Sequence, residues 1–176
     1  MTRYAAFLRG VNLGKRTVKS AELKAAFEAM GFENVKTLLA SGNVLFDARP
    51  GKGLKDQIEA GLERQFGFAV GTVLRTLDEL EAMAAADPFG RAEGDDAKLY
   101  VMLFAEPLPA AFKPKRVPGD FDVPKLTERE LFLVLWRKPD GTYAGNSGGL
   151  VALEKQMPKG TLVTSRNWNT ILKAIA

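Results

Sequence analysis

The residues best suited to bind a ligand lie in one short segment, FLRGVNLGKRTVKSAEL (7–23). It places cations and an amide around two glycines: Arg9, Asn12, Lys15 and Arg16, with Gly10 and Gly14. Cationic side chains beside the backbone N–H groups of a glycine turn are the parts from which anion sites are built, particularly where a helix begins. The spacing fits neither the P-loop pattern, G-x-x-x-x-G-K-[ST], nor G-x-G-x-x-G. The segment therefore predicts either an unorthodox phosphate-binding loop or a solvated turn whose glycines only supply unusual backbone angles.

Two further segments carry polar groups in suggestive positions. ASGN (40–43) offers the side chains of Ser41 and Asn43 in a short turn between two apolar runs. Near the end of the chain, TSRNWNTILK (164–173) predicts a capped amphipathic helix with Trp168 buried. Four residues of this segment lie off the apolar stripe and cluster at the predicted helix start: Arg166, Asn167, Asn169 and Thr170. That start favours one of two roles, anion binding or docking against the rest of the chain.

The amino-acid composition excludes several kinds of chemistry. The chain has no cysteine and no histidine, which excludes disulfides, thiolate nucleophiles, imidazole bases and Cys/His zinc sites. Any acid or base must be Asp, Glu, Lys or Tyr, and any metal must be a hard cation held by oxygen. No pair of acids stands at a recognisable catalytic spacing, so the sequence predicts no metal site, no cofactor and no particular catalytic residue.

Charge is distributed unevenly along the chain, whose net charge is +4. Residues 1–20 and 155–176 contain cations and no acids, whereas residues 77–96 are acidic. This pattern either steers an anionic ligand to one face or only keeps surfaces solvated. The first apolar run is too short for a secretory or membrane segment, so we expect a cytoplasmic protein without a membrane partner.

The first half of the chain predicts the order β-α-β-β-α-β, the ferredoxin-like unit. Apolar spacing and turn residues place strands at 3–9, 35–39, 43–47 and 70–75, and helices at 20–30 and 54–66. In this topology the loop after the first strand and the hairpin between the second and third strands lie at the same end of the sheet. We therefore expect Asn12 and Lys15 to lie near Ser41 and Asn43.

The second half predicts a degraded copy of the same order. A Thr76/Glu79 capping box opens a connecting helix to about Ala86, and the acidic RAEGDD (91–96) resembles a linker. Strands are expected at 98–104, 117–121, 131–136 and 161–164, with helices at 150–157 and at the end of the chain. The proline-rich first crossover has room for little more than one helical turn. The expected fold is α+β with two packed ferredoxin-like halves, 1–92 and 97–176, and an internal duplication without a visible residue-level repeat.

Base stacking on an open sheet, as in many RNA-binding modules, is disfavoured. The third strand, NVLFD, keeps only Phe46 of the required aromatic pattern. The first and third strands are apolar on both faces, and helices cover only one face of such a sheet. We expect the second half to cover the other. Phosphate-led contact with nucleic acid through basic loops stays open.

The residues also resemble a known family. FLRGVNLGKRTVKSAELKAAFEAMGFENVKTLLASGNVLF and the terminal TSRNWNTILK are similar to the bacterial domain of unknown function 1697 in the order and spacing of their motifs. The resemblance covers essentially the whole chain. It implies a compact cytoplasmic α+β protein with two ferredoxin-like halves, and it implies no assigned activity. Where the family carries Tyr-Gly-Arg-Ser-Lys-Leu, this chain has YAGNSGGL (143–150), so any family role of that segment in anion binding would depend here on the backbone of 146–149.

Three functions stay open. The favoured one is binding of a phosphate-bearing ligand, nucleic acid or nucleotide-like, by Arg9, Asn12, Lys15, Arg16, Ser41 and Asn43, with Arg166, Asn167 and Asn169 completing the site. The second is an enzyme that uses carboxylates or a lysine on a small substrate, which would need a deep pocket holding a buried group of shifted pKa. The third is a protein-interaction module, which would need a contiguous exposed apolar patch.

Overall fold

The computed structural model describes residues 1–12, 17–38, 42–90, 97–115, 120–143 and 149–176. It is an α+β protein with two four-stranded antiparallel sheets. The chain divides into two compact units. Unit 1 comprises Met1–Ala82 with Leu172–Ala176, and unit 2 comprises Met83–Ile171. No helix in the ranges above is long and apolar enough to cross a membrane.

Unit 1 follows the order predicted from the sequence. Its elements are β1 (Thr2–Arg9), α1 (Ser20–Ala29), β2 (Glu33–Thr37), β3 (Asn43–Ala48), α2 (Leu54–Phe66) and β4 (Gly71–Thr76). The strands lie in the order β2-β3-β1-β4. Alternate residues of β1 and β3 pack with the apolar faces of both helices, as Phe27, Phe46 and Ile58 illustrate. The other face is buried too, since Ala5 and Phe7 are almost inaccessible.

Glycines end the helices of unit 1 where the sequence predicts. Gly67 adopts φ 79°, and its N–H bonds the carbonyl of Glu63 at 2.8 Å. Gly31 has φ 90° just beyond α1. Because a side chain at positive φ is strained, these positions favour glycine and close the helices. Both bounds of α2 agree with the prediction from apolar spacing.

A third helix, α3 (Leu77–Ala85), follows β4 without a loop. Thr76 Oγ1 accepts a hydrogen bond from the backbone N–H of Glu79 at 3.1 Å, which is the first half of the predicted capping box. The turn at 87–90 ends this segment. The predicted linker, 91–96, lies outside the described residues.

Unit 2 is built around β5 (Ala97–Phe104), β6 (Phe121–Leu126), β7 (Glu130–Trp136), α4 (Gly149–Gln156), β8 (Val163–Asn167) and the start of α5 (Trp168–Ile175). Its strands lie in the order β6-β7-β5-β8. The described part of the crossover after β5 contains only a turn, in which Phe112 N–H bonds the carbonyl of Pro109 at 2.9 Å. Trp168 is buried as predicted and packs edge-on against Phe89 and Phe132.

Two strands of unit 2 differ from prediction. Of the strand expected at 117–121, residues 117–119 lie outside the described residues; β6 begins at Phe121 and continues through Pro124 to Leu126. An edge strand tolerates proline, and Pro124 falls inside the register shift between Asp122 and Lys125. The strand expected at 161–164 is β8, which extends to Asn167 because its polar end pairs with β5.

The two sheets repeat the same pairings residue by residue. Tyr4 and Tyr100 occupy matching positions in the central strands, opposite Phe46 and Leu133. Arg75 lies opposite Ala5 as Arg166 lies opposite Val101. The edge pairings are irregular at the same place, between Glu33 and Lys36 in one sheet and between Asp122 and Lys125 in the other. The two sheets therefore share a pairing register at these positions.

Candidate functional site

The candidate site lies at the end of β1 in unit 1, beside the β2–β3 hairpin. Phe7 is the pairing partner of Asn43, and the N–H of Leu8 bonds the carbonyl of Gly42 at 2.8 Å. Gly10 and Gly42 adopt φ 89° and 75°, so both turns use conformations that favour glycine. We call this region the corner: residues 9–19 together with the hairpin residues 38–43.

Asn12 forms a hydrogen bond across the loop that follows β1. Its Oδ1 accepts a hydrogen bond from the N–H of Val18 at 3.0 Å. The side chains of Val11 and Val18 are buried in the core of unit 1, which anchors the loop on both sides of 13–16. Asn12 itself is exposed, and within the residues that the structure describes its Nδ2 has no acceptor. Its amide therefore keeps donors for a ligand.

Asn43 has a structural role at the same corner. Its side chain is only 5% exposed, and Nδ2 donates to the carbonyl of Leu38 at 3.2 Å. The backbone repeats this link, since Leu38 N–H bonds the carbonyl of Asn43 at 2.9 Å. Asn43 thus fixes the shape of the hairpin, and much of its hydrogen-bonding capacity is used there.

The cationic part of the corner is described only in part. Arg9 is exposed at the end of β1, opposite Gly71. Lys15, Arg16 and Ser41 lie outside the described residues, so their approach to Asn12 and Asn43 stays a prediction. The nearby start of α1 has no side-chain cap, because Lys19 precedes the helix without bonding it. Its first N–H groups leave a partial positive charge on this side of the unit.

The second predicted group, in unit 2, has a different setting from the expected helix start. Arg166 lies on strand β8, where its guanidinium donates to Thr164 Oγ1 at 2.5 Å and to the carbonyl of Ser165 at 2.9 Å. Burial lowers the pKa of Arg166 to about 10, so the side chain stays charged at neutral pH. Thr170, expected off the apolar stripe, is 5% exposed and therefore buried.

Asn167 is the N-cap of α5. Its Oδ1 accepts the backbone N–H of Asn169 at 2.9 Å, the bond that an N-cap residue makes to the first turn. Asn169 itself is exposed on that turn. The structure thus brings Arg166, Asn167 and Asn169 together around one strand-to-helix junction.

Sequence reasoning missed Arg75, the most deeply buried charged side chain described. It is 1% exposed in β4, and its NH1 donates to the carbonyl of Leu74 at 2.8 Å. Its Nε lies 4.0 Å from Glu79 Oε2. Arg166 makes the same bond to the carbonyl that precedes it, at the matching position of unit 2. The sequence does contain a pattern that could have indicated it. In each unit an arginine is the second-last residue of the last strand, and a helix begins two residues later.

Two aspartates, Asp47 and Asp140, have pKa values that do not suit them to act as general acids. The pKa of Asp47 is held below its usual value, chiefly by a hydrogen bond from Asn34 at 2.7 Å and also by Arg3. Hydrogen bonds from Thr142 likewise lower the pKa of Asp140. A general acid working near neutral pH needs the opposite shift. Among the described residues no three acidic side chains lie close enough to hold a metal ion.

Residues 1–132 match the model of a family described as protein of unknown function (DUF1697). The chain belongs to this family. The DUF1697 match includes the whole corner and helices α1 and α2. The resemblance predicted from the Arg-Gly-x-Asn loop and the Ser-Gly-Asn-Val hairpin is therefore confirmed.

Solved structures add information about the fold of this DUF1697 protein. It resembles the conserved bacterial protein SP0830 from Streptococcus pneumoniae, with a TM-score of 0.76 and 24% identity, over 98% of this chain and 96% of that one. At this identity the likeness concerns the fold alone. No curated protein matches the chain. The function of this DUF1697 member must therefore be argued from its own residues.

Proposed function

We propose that the corner of unit 1 binds a phosphate-bearing ligand, either nucleic acid or a nucleotide-like molecule. The proposed ligand groups are Arg9, Asn12, Lys15, Arg16, Ser41 and Asn43. The observation that supports this most strongly is the hydrogen bond from Leu8 N–H to Gly42 O, because it joins the start of the basic loop to the hairpin. Two segments separated by about thirty residues of sequence thereby contribute to one surface.

Three properties of this surface suit a phosphate. Arg9 is exposed at its edge, and Asn12 keeps its Nδ2 donors. Two glycine turns and the uncapped start of α1 add backbone N–H groups. Backbone N–H groups and cations together bind phosphate oxygens without a standard motif. Lys15 and Arg16, on the same loop, would supply most of the charge.

The roles of Arg166, Asn167 and Asn169 in ligand binding stay a prediction. Their described contacts serve unit 2: a strand-end guanidinium and a helix cap. The proposal for the corner does not depend on them.

We also infer that the chain consists of two ferredoxin-like halves, the second degraded, with domain bounds 1–92 and 97–176 that differ from the compact units at 83–90 and 172–176. The shared strand order and the paired irregularities of the two sheets support this assignment. The cytoplasmic location predicted from the sequence is part of the same proposal.

The test of the function is a comparison of two double variants in the full chain. Lys15→Ala/Arg16→Ala removes two cations of the corner. Lys52→Ala/Lys159→Ala removes two exposed lysines that are not among the proposed ligands. Binding is measured with ATP by calorimetry and with single-stranded DNA and RNA by fluorescence anisotropy, over a series of salt concentrations.

The corner variant should lose affinity for the phosphate-bearing ligand that the wild-type protein binds. For a single strand, the slope of log K against log salt should fall by about 1.4 if two phosphate contacts are lost. The control variant should change affinity far less. Binding that is unaltered in the corner variant would refute the proposal, and the ATP and oligonucleotide arms distinguish its two ligand classes.

A further inference from the structure

We propose that a second site, at the opposite end of the sheet of unit 1, binds a small zwitterion with an apolar body. The chemical class is an apolar amino acid or a short apolar peptide. This site shares no residue with the corner, so the proposal does not depend on the proposed phosphate site.

The site is a cavity of about 550 Å³. It lies where α1 ends, β2 and α2 begin, and β3 ends; Met30, Phe32, Glu33, Ala48, Arg49 and Leu54 form most of its wall. Small-molecule pockets usually measure roughly 300 to 1,000 Å³. The cavity is therefore large enough for an amino acid or a dipeptide.

One part of the wall is apolar and fixed. Phe32, Ala48 and Leu54 are buried members of the core of unit 1, and Met30 packs against them. Met30 also lies against Gly61 of α2, where an added Cβ would overlap its sulfur. A hydrocarbon side chain placed on this surface would displace water from apolar area, which is favourable.

Two side chains in the rest of the wall are charged, and they have opposite signs. Glu33 and Arg49 both face this cavity, and neither has an ion-pair or hydrogen-bond partner in the part of the chain that the structure describes. They also form no ion pair with each other. The nearby Asp47, in contrast, has two partners, because it accepts hydrogen bonds from Arg3 at 3.0 Å and from Asn34 at 2.7 Å.

This combination selects for a ligand with both charges. A carboxylate can accept hydrogen bonds from the Arg49 guanidinium, and an ammonium group can donate to the Glu33 carboxylate. A ligand with a single charge would satisfy one of the two and leave the other in water. A zwitterion with an apolar side chain matches both charges and the hydrophobic wall.

The experiment uses calorimetric titration of the full chain with four probes. L-phenylalanine carries both charges, phenylalaninamide lacks the carboxylate, and N-acetylphenylalanine lacks the ammonium group. The dipeptide Phe-Phe keeps both charges but separates them. Phenylalanine should bind more tightly than either singly charged analogue, and comparison with the dipeptide identifies which spacing of the charges the site prefers.

Single variants assign each charge. Arg49→Ala should weaken phenylalanine by about fivefold, as expected for loss of an exposed ion pair, and leave phenylalaninamide unchanged. Glu33→Gln should weaken phenylalanine similarly and leave N-acetylphenylalanine unchanged. Lys52→Ala and Glu28→Gln are matched controls, since both residues are exposed and neither lines the cavity.

Two results would overturn the proposal. One is the absence of saturable binding of both phenylalanine and Phe-Phe to the wild-type protein at about 10 mM ligand, a concentration that detects even affinities near the millimolar range. The other is binding that Arg49→Ala and Glu33→Gln affect no more than their controls do. Either result would leave Glu33 and Arg49 as solvated surface charges.

Discussion

The side chains of Asn12, Asn43 and Asn167 each form a hydrogen bond with a backbone group in a loop, a hairpin or a helix start. The acceptor or donor is Val18 N–H, Leu38 C=O and Asn169 N–H, respectively. Such local bonds satisfy backbone groups that turns and helix ends would otherwise leave to water. All three asparagines were predicted as ligand groups, and in the structure each also has a conformational role.

The cap on α5 gives a prediction at this scale. Asn167→Ala should lower the free energy of unfolding by about 1 kcal/mol, because the first turn loses its side-chain acceptor. Asn167→Ser should retain most of the stability. Urea unfolding followed by circular dichroism measures both, with exposed Asn169→Ala as the control. Equal stability of Asn167→Ala and the wild-type protein would show that the cap contributes nothing.

Asp47 predicts a dependence of stability on pH. Its folded-state pKa lies below the unfolded value of about 3.9, so its contribution is present above about pH 4 and is lost as the pH falls through the folded pKa. Asp47→Asn should therefore be less stable than the wild-type protein at neutral pH, and the difference should shrink in acid. Unfolding by urea over a series of pH values checks this, with exposed Glu63→Gln as the control. A difference that is independent of pH would contradict the assignment.

At the scale of elements, the packing of α1 against α2 depends on Gly61. A Cβ at this position would overlap the Met30 sulfur and lie 3.1 Å from its Cγ. Gly61→Ala should therefore be about 1 kcal/mol less favourable in the wild-type protein than in a Met30→Ala background, because the Met30 side chain must move to admit the Cβ. In a Met30→Ala background the same change should stabilise by about 0.5 to 1 kcal/mol, since alanine favours helix over glycine. Chemical denaturation of the four proteins measures this cycle, and an equal effect of Gly61→Ala in both backgrounds would refute it.

The elements predicted best are those that local sequence determines. Helix α2 has an apolar stripe and a terminating Gly67, and both its bounds were correct. Strands β6 and β8 were misplaced because pairing with β7 and β5 overrides their polar residues and Pro124. Strand propensity depends on such partners, which a single sequence does not display.

The same distinction applies to the candidate site. The meeting of the loop after β1 with the hairpin followed from topology, and the bond from Leu8 to Gly42 supports it. The burial of Asn43 and Arg75 did not follow, because polar residues are usually exposed. The cavity beside Glu33 and Arg49 could not be predicted from the sequence either, since its wall comes from three separate elements, β2, β3 and α2, and from segments beside them.

At the scale of the whole molecule, the two sheets share one strand order. The region of unit 2 that corresponds to the corner nevertheless differs from it. In unit 2 the bond from Phe104 N–H to Arg129 O, at 3.0 Å, corresponds to the bond from Leu8 to Gly42 in unit 1. There, however, a cavity of about 210 Å³ has a largely apolar wall that includes Leu108, Phe112 and Leu126. Among the described residues, Gly10 and Gly42 give unit 1 two positive-φ glycine turns at this place, and the corresponding described segments of unit 2 have none. This difference in glycine turns favours unit 1 for the proposed phosphate site.

The most direct test of that claim is a map of where a phosphate-bearing ligand binds. Amide NMR spectra of the full chain are recorded during titration with ATP and with a short single-stranded oligonucleotide. We expect saturable shifts that are largest at the backbone amides of Gly10, Asn12 and Gly42, with little change at Phe32 and Glu33. The absence of saturable shifts, or shifts centred elsewhere in the chain, would contradict it.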